Sequence, residues 1–354
     1  MNKGPYSVVL TLLLISPSAW SDTYQVTLPN CGDPGSGGLA YAIQQANDNP
    51  GTDTIEIAAG LTISGSCGPQ GGLNESALEI TESLVIQGNS GLFHGANAYI
   101  NASTGNTNQI DPGSCPSRSS NFLVIDYSPS LFMIGQFDSD NTGIDVTIED
   151  FSVDSVSQLA SVRDGAKLTL RNVNATDVRD LQACTRSVIE AFGDADLVLE
   201  NVYMKGLNTF DDPRPVGHIQ GVSGKLEIYD SEFYTSLGRY AISWKDGDVD
   251  IVSSAFTSFG GLFFLGGNMK VVNSLFLPAP LSRDLSFTDG VSALANSEIE
   301  LTASTFVYSV NECKPPPSLE CVYNTDVPTP TFRSGNGSAI VFNQSVLHVQ
   351  TISP

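Results

Sequence analysis

The sequence predicts an all-β fold, namely a single-stranded parallel β-helix with three strands per coil and a short capping helix near the N-terminus. Three observations support this prediction: a ten-residue unit that recurs along the chain, bend-forming residues at one fixed place within it, and variable spacing between its copies. Stacked coils that bury one continuous apolar column explain all three features together.

The recurring unit is clearest from Gly224 to Phe233, where apolar or small residues occupy offsets 2, 4, 7 and 9. Alternation at offsets 2 and 4 is typical of a strand with one buried face, whereas the step of three that follows requires a corner at offset 5 or 6. Offset 6 holds mostly short polar residues, which tolerate a left-handed backbone. These residues are Asp150, Asn172, Asn201, Asp230, Ser253, Asn273, Ala303 and Gln344. A further apolar run before most copies, such as 240–244, supplies the third strand.

The copies begin at residues 144, 166, 195, 224, 247, 267, 297 and 338, so their steps range from 20 (267 − 247) to 41 (338 − 297). Stacked coils keep their strand register while their loops vary in length. A propeller or sandwich would need hairpins, but Asp-Gly or Asn-Gly pairs precede only the copies at 166, 247 and 338. Four phenylalanines at offset 9 are then expected to stack inside the column: Phe233, Phe256, Phe276 and Phe306.

The first 21 residues predict a secretory signal peptide. A lysine at position 3 precedes the apolar run 8–15, and Ala19 and Ser21 are small residues placed for cleavage. No other stretch approaches the length of a spanning helix. We therefore expect an exported protein, extracellular, at the cell surface or in the periplasm. Residues 22–91 would form the cap and first coils. Residues 92–354 would continue the same domain, with an irregular insertion at 92–137.

Cysteine usage agrees with export, because all six cysteines follow the signal peptide. They are Cys31, Cys67, Cys115, Cys184, Cys313 and Cys321. An even number in an oxidising compartment favours disulfides. Cys313 and Cys321 bracket a proline-rich segment and could close one loop, while the other four allow three pairings.

The formal net charge of −22 restricts the partners. Nucleic acid and anionic membranes both require a clustered basic face, so neither is expected. Polyanionic glycans are disfavoured for the same reason unless calcium bridges them to carboxylates. Calcium is the one cofactor that the sequence suggests, and no set of residues is identified as its ligands. The expected partner is a polysaccharide or a cell-surface glycan, bound by a monomer.

A short helix is predicted near the N-terminus, because Leu39, Ala42, Ile43 and Ala46 fall on one helical face. The segment 38–55, GLAYAIQQANDNPGTDTI, together with the later LVIQG at 84–88, resembles the N-terminal cap and first rungs of bacterial secreted right-handed parallel β-helix repeat proteins. Those proteins typically read "SLR-AI-AN-NPGADTI" there, so LAY at 39–41 departs from their Leu-Arg-x pattern. The resemblance implies right-handed winding and an adhesin-like role at the cell surface. It supplies no catalytic residues.

One candidate site is the outward-facing stripe at offsets 1 and 3. Its members are Lys225, Glu227, Asp248, Asp250, Asn268, Lys270, Glu298 and Glu300. Stacking would place Glu227 beside Asp250, a like-charge pair that could raise the pKa of one carboxylate or hold a cation. An inverting glycosidase needs two carboxylates separated widely enough to admit a water molecule. The simpler interpretation is a solvated face with ion pairs of Lys225 with Asp248 and of Asp250 with Lys270.

A second candidate is the loop 211–218, which gathers acidic, basic and imidazole groups. With residues of the next coil it could supply the base and the acidic calcium ligands of a β-elimination lyase. The residues concerned are Asp211, Asp212, Arg214, His218, Arg239, Lys245 and Asp246. The simpler interpretation is a proline-stiffened surface loop, because the spacing matches no specific motif. The histidines are too isolated in sequence to suggest zinc.

Two classes of function follow. The first is a secreted or cell-surface β-helix that binds carbohydrate or another surface without catalysis. The second is a polysaccharide lyase or glycoside hydrolase that holds a linear polymer along the stack, an interpretation supported by fold analogy alone. A third hypothesis is that the chain is a rigid spacer.

Overall fold

The computed structural model describes most of the predicted repeats. The described residues are 21–33, 35–64, 67, 78–94, 130–136, 139–154, 156, 158–179, 187–207, 217–235, 240–258, 262–278, 291–309, 312–313, 321–322, 332–334 and 337–350. The predicted signal peptide up to residue 20, most of the predicted insertion at 92–137, and Cys115 and Cys184 lie outside them. The predictions for those segments stay predictions.

The chain folds mostly into β-strands, with one helix, α1 (Leu39–Asn47). The first strands are β1 (Thr23–Val26), β2 (Asp53–Ile57), β3 (Thr62–Ser64), β4 (Leu78–Ile80), β5 (Leu84–His94), β6 (Ser130–Ile134), β7 (Asp145–Asp154), β8 (Gln158–Val162), β9 (Lys167–Arg171), β10 (Asn174–Arg179), β11 (Ile189–Ala191), β12 (Asp196–Glu200), β13 (Tyr203–Leu207), β14 (Gly217–Gly221), β15 (Lys225–Tyr229) and β16 (Glu232–Thr235). The later strands are β17 (Tyr240–Trp244), β18 (Asp248–Val252), β19 (Ala255–Ser258), β20 (Leu262–Leu265), β21 (Asn268–Val272), β22 (Leu275–Pro278), β23 (Val291–Leu294), β24 (Glu298–Thr302), β25 (Thr305–Ser309), β26 (Glu312–Cys313), β27 (Cys321–Val322), β28 (Phe332–Ser334), β29 (Ala339–Asn343) and β30 (Val346–Gln350).

The strands assemble into two long parallel sheets of nineteen and nine strands. In the larger sheet, β15 pairs with β18, β18 with β21 and β21 with β24, while β16, β19, β22 and β25 form a second row. In the smaller sheet, β14, β17, β20 and β23 pair in the same order. Each repeat therefore adds one strand to each of three parallel rows, and corresponding strands of successive repeats are neighbours.

Antiparallel pairing, which a propeller or sandwich would need, is found among the described strands only between β26 and β27. That pair sets the backbone of Cys313 opposite Cys321. The prediction of an all-β protein with parallel strands is confirmed.

The corners lie where the offset-6 residues predicted them. All eight of these residues have a backbone φ between 48° and 53°. At the exposed side of three successive corners the side chains also join, because Asn172 Nδ2 donates to Asp150 Oδ1 at 2.9 Å and Asn201 Nδ2 donates to Asn172 Oδ1 at 2.8 Å. The short polar residues thus turn the chain and link neighbouring repeats.

The four predicted phenylalanines form one stack in the interior. Their ring centroids are 5.1 Å apart between Phe233 and Phe256, 5.0 Å between Phe256 and Phe276, and 4.4 Å between Phe276 and Phe306. The rings are nearly parallel, within 10°. All four side chains are buried, and they belong to the same apolar cluster as the inward residues of the other strands. The expectation of one shared column is confirmed.

A ladder of buried serines runs beside this stack at offset 7. The N–H of Ser231 donates to Ser254 Oγ at 3.2 Å, that of Ser254 to Ser274 Oγ at 3.3 Å, and that of Ser274 to Ser304 Oγ at 3.3 Å. Each hydroxyl in turn donates to the carbonyl two residues earlier in its own repeat, at 2.7–3.0 Å. The hydroxyls are therefore satisfied without water.

The N-terminal end of the sheets is covered by α1, as predicted. Leu39, Ala42, Ile43 and Ala46 are buried, and the helix lies against β1, β2 and β4. Close by, Cys31 and Cys67 form a disulfide. This result selects one partner for Cys31 among those that the sequence left open.

Candidate functional site

The outward stripe exists as predicted, because the strand register brings its members together. Lys225 lies opposite Asp248 and Glu227 opposite Asp250 in the pairing of β15 with β18. In the next pairing Asp250 lies opposite Lys270. Neighbouring parallel strands are about 4.8 Å apart, so these side chains share one small area of the surface.

Glu227 is the centre of the most ordered part of this stripe. Its Oε1 accepts from Lys225 Nζ at 2.9 Å and from the Tyr229 hydroxyl at 2.9 Å. Partial burial tends to raise the pKa of Glu227, but the hydrogen bonds from Lys225 and Tyr229 outweigh it and hold the pKa below its usual range. Glu227 is consequently an ionised acceptor held between two donors.

This geometry corrects one sequence-based expectation. The neighbouring Asp250 could have raised the pKa of one carboxylate of the pair, but the contacts of Glu227 lower its pKa. The partner of Lys225 also differs from the expected Asp248, since Lys225 pairs with Glu227 on its own strand. Asp248 instead accepts from Asn268 Nδ2 at 3.2 Å. The local cause is that offsets 1, 3 and 5 of one strand point to the same face.

Tyr229 was missed by the sequence reasoning, although it stands two residues after Glu227 in the same alternating strand. Its side chain is half-buried. Burial, reinforced by the bond to the Glu227 carboxylate, raises the pKa of the Tyr229 hydroxyl, which stays a proton donor. The hydrogen bond to Glu227 likewise raises the pKa of Lys225, which stays a cation.

Two more tyrosines lie just beyond the corners at Asn201 and Asp230. They are Tyr203 on β13 and Tyr234 on β16, both half-buried. Lys205 Nζ lies 5.6 Å from the centre of the Tyr234 ring, within the range of a cation–π contact. We call the surface formed by Lys225, Glu227, Tyr229 and Asp250 the tyrosine–carboxylate face.

The second candidate, the loop 211–218, is brought together only in part. Asp211, Asp212, Arg214 and Arg239 lie outside the described residues, so their predicted roles stay predictions. Lys245 and Asp246 are exposed at the turn after β17, with Nζ and Oδ2 4.0 Å apart.

His218 lies in the interior and not on the surface of that loop. It is buried on β14, and its ring centre is 6.4 Å from that of Phe233, at the end of the phenylalanine stack. Neither ring nitrogen forms a hydrogen bond of good geometry within the described part of the chain. Burial lowers the pKa of His218 to about 4, opposed only in part by the backbone of Tyr234. Near neutral pH the imidazole is therefore uncharged.

Across the described segments, no three His, Cys, Asp or Glu side chains converge closely enough to hold a metal ion. Calcium stays a prediction. None of the described helices has the length and apolar character needed to cross a membrane. No family model matches the chain, and a search of curated proteins finds no similar sequence.

Proposed function

We propose that the chain is an exported right-handed parallel β-helix that binds a polysaccharide or cell-surface glycan without catalysis. The fold part of the proposal is supported by three parallel rows with one strand per repeat and by corner residues with positive backbone φ. It is also supported by the resemblance of residues 38–55 to the N-terminal caps of such proteins. The disulfide between Cys31 and Cys67 is consistent with an oxidising compartment outside the cytoplasm.

The observation that carries the binding part is the arrangement of Lys225, Glu227 and Tyr229. A fixed carboxylate, an ammonium and a phenol place hydrogen-bond acceptors and donors close together, and the neighbouring hydroxyls of a sugar can bind to such a group. The ring of Tyr229 adds a flat apolar surface on which a sugar ring can stack. Because the hydrogen bonds fix Glu227 before a ligand arrives, little side-chain entropy is lost on binding.

The same arrangement favours binding over glycoside hydrolysis. A hydrolase needs a general acid that stays protonated near neutral pH, which requires a raised carboxyl pKa. The pKa of Glu227 is lowered, so this side chain suits an acceptor role and not that of a proton donor. His218 is buried against Phe233 and is not placed to reach a polymer on the outside.

The proposal is tested by a glycan array followed by titration calorimetry with the glycan that binds best. The informative variants are Glu227→Gln, which removes the negative charge that pairs with Lys225, and Tyr229→Phe, which removes the hydroxyl that donates to Glu227. We expect each to weaken binding about tenfold, equivalent to about 1.4 kcal/mol.

Glu300→Gln is a matched control, because Glu300 occupies the same offset on β24 and accepts from Thr302 where Glu227 accepts from Tyr229. It should leave affinity unchanged. Absence of any glycan ligand, or equal losses in all three variants, would contradict the proposal. Incubation with pectate, alginate and neutral glycans, with and without calcium, tests the rival lyase or hydrolase function. Unsaturated products or new reducing ends would establish that rival.

A further inference from the structure

Asp250 differs from the other members of the tyrosine–carboxylate face, because its side chain has no partner within the residues that the structure describes. Lys270 lies opposite it on the next strand, yet the two side chains form no ion pair. Glu227, by contrast, accepts from both Lys225 and Tyr229. Asp250 is half-buried, and both of its carboxylate oxygens can accept hydrogen bonds from a ligand.

The surface around Asp250 is negatively charged. The neighbouring strands β12, β15, β18, β21 and β24 carry seven carboxylates and two lysines at their outward positions. The carboxylate nearest in register is Glu227, which lies opposite Asp250. After the hydrogen bond and the charge of Glu227, the charge of Asp250 also raises the pKa of Lys225. A ligand carboxylate or sulfate would be repelled here, whereas a ligand cation would be attracted.

The hydrogen-bonding groups left on this face include both donors and acceptors. Lys225 Nζ carries three N–H groups, of which one donates to Glu227 Oε1 at 2.9 Å. The other two can donate to hydroxyl or ring oxygens of a ligand, while the oxygens of Asp250 accept. A lysine side chain of a partner only donates, so it matches Asp250 but not Lys225. A sugar ring that carries an amino group offers an ammonium donor and acceptor oxygens together.

We propose that the ligand of the tyrosine–carboxylate face is a polysaccharide of amino sugars whose amino groups are free and not acetylated. The sugar ammonium binds Asp250, the sugar oxygens accept from Lys225, and the ring of Tyr229 lies against the sugar ring. This inference rests on the proposed glycan-binding function and names the class of glycan. Polymers of uronates or sulfated sugars are then poor ligands, because their charge has the same sign as the face.

The first test compares a glucosamine oligomer with its N-acetylated counterpart of the same length by titration calorimetry. The pH is set where the carboxylates are ionised and the sugar amine is protonated. The wild type should bind the free-amine oligomer about fivefold more tightly, as the upper range for a partly exposed ion pair allows. Asp250→Asn should lose this preference. Comparing two ligands on one variant cancels any effect of the substitution on folding.

Glu298→Gln is the matched control, because it also removes one negative charge from the same surface. Glu298 is exposed on β24, which is separated from the strand of Asp250 by β21. This variant should keep the preference for the free-amine oligomer. Equal losses of preference in Asp250→Asn and Glu298→Gln would show that only the overall field acts, and would overturn the proposed contact with Asp250.

The second test measures binding of an oligolysine that carries as many ammonium groups as the glucosamine oligomer. It should bind more weakly, because it offers no sugar oxygens to Lys225. Oligolysine binding as tight as that of the glucosamine oligomer would overturn the assignment to an amino sugar. Binding of a neutral or acidic glycan, with no preference for a free amine, would overturn this inference and leave the proposed function standing. Absence of any glycan ligand would overturn both.

Discussion

The earlier and later repeats fill the same cross-section of the interior in two different ways. The copies beginning at 144, 166 and 195 place two apolar side chains at offsets 7 and 9, such as Val202 and Met204. The copies beginning at 224, 247, 267 and 297 place a serine and a phenylalanine there, such as Ser254 and Phe256. In both groups the side chains at these offsets are buried.

The difference shows what each solution demands. An apolar pair needs only the right volume, because it has no polar atoms to satisfy. A serine next to a phenylalanine leaves room for the ring but buries a hydroxyl, which must find partners. The ladder from Ser231 to Ser304 provides them by bonding each repeat to the next. The later repeats should therefore be more strongly coupled than the earlier ones.

The largest effect is expected for Phe256→Ala. Phe256 stacks on rings on both sides, so its removal should lower the free energy of unfolding by about 3–5 kcal/mol. Met204→Ala, at the same offset in an earlier repeat, should cost less because the side chain removed is smaller. Denaturant unfolding of both variants measures the two losses in the free energy of unfolding. An equal or smaller loss for Phe256→Ala would contradict the contrast between the two groups.

His218 marks the start of the phenylalanine stack and should make stability depend on pH. Its pKa in the folded chain is about 4, below the ordinary value of 6.5. The unfolded chain therefore takes up a proton first as the pH falls. Stability from this residue should be complete above about pH 6.5 and should fall by about 3 kcal/mol on reaching pH 4.

The measurement is the difference in unfolding free energy between wild type and His218→Leu at several pH values, which cancels the carboxylates common to both. The wild type should lose stability relative to His218→Leu as the pH falls from 6.5 to 4. Parallel curves would show that the imidazole is protonated equally in the folded and unfolded states.

A smaller effect is expected for Ser254→Ala. It leaves the N–H of Ser231 without its acceptor, and a buried unpaired donor costs about 1–3 kcal/mol. Ser253→Ala is the control, because Ser253 is exposed and its Oγ accepts a hydrogen bond at the surface, from Asn273 Nδ2 at 3.3 Å, instead of one from a buried N–H. Thermal unfolding should separate the two variants. Similar losses in both would mean that the ladder contributes little.

The smallest effect is a gain. Ala303 holds a φ of 48° that costs an alanine about 1 kcal/mol and that asparagine adopts more easily. Ala303→Asn should therefore stabilise the chain by about 0.5–1 kcal/mol. The reverse change one repeat earlier, Asn273→Ala, should destabilise it by a similar amount. Changes of the same sign in both variants would contradict this explanation of the corner.

The candidate site was predicted only in part, for a definite physical reason. Strand register follows from alternation, so the sequence could place Glu227 beside Asp250. It could not choose the partner of Glu227, because Lys225, Tyr229 and Asp250 are all within reach and the choice depends on rotamers. The lowered pKa of Glu227 follows from that choice of partners, so the sequence could not predict it.

The sequence alone determined the strand period, the corner residues, the buried face of α1 and the phenylalanine column. These features depend on which residues are apolar and which tolerate a left-handed backbone, and both properties are local. Tertiary structure decided the pairing of Cys31 with Cys67, the burial of His218 and the serine ladder. Each of these depends on groups distant in the chain, whose meeting is fixed only when the sheets are assembled.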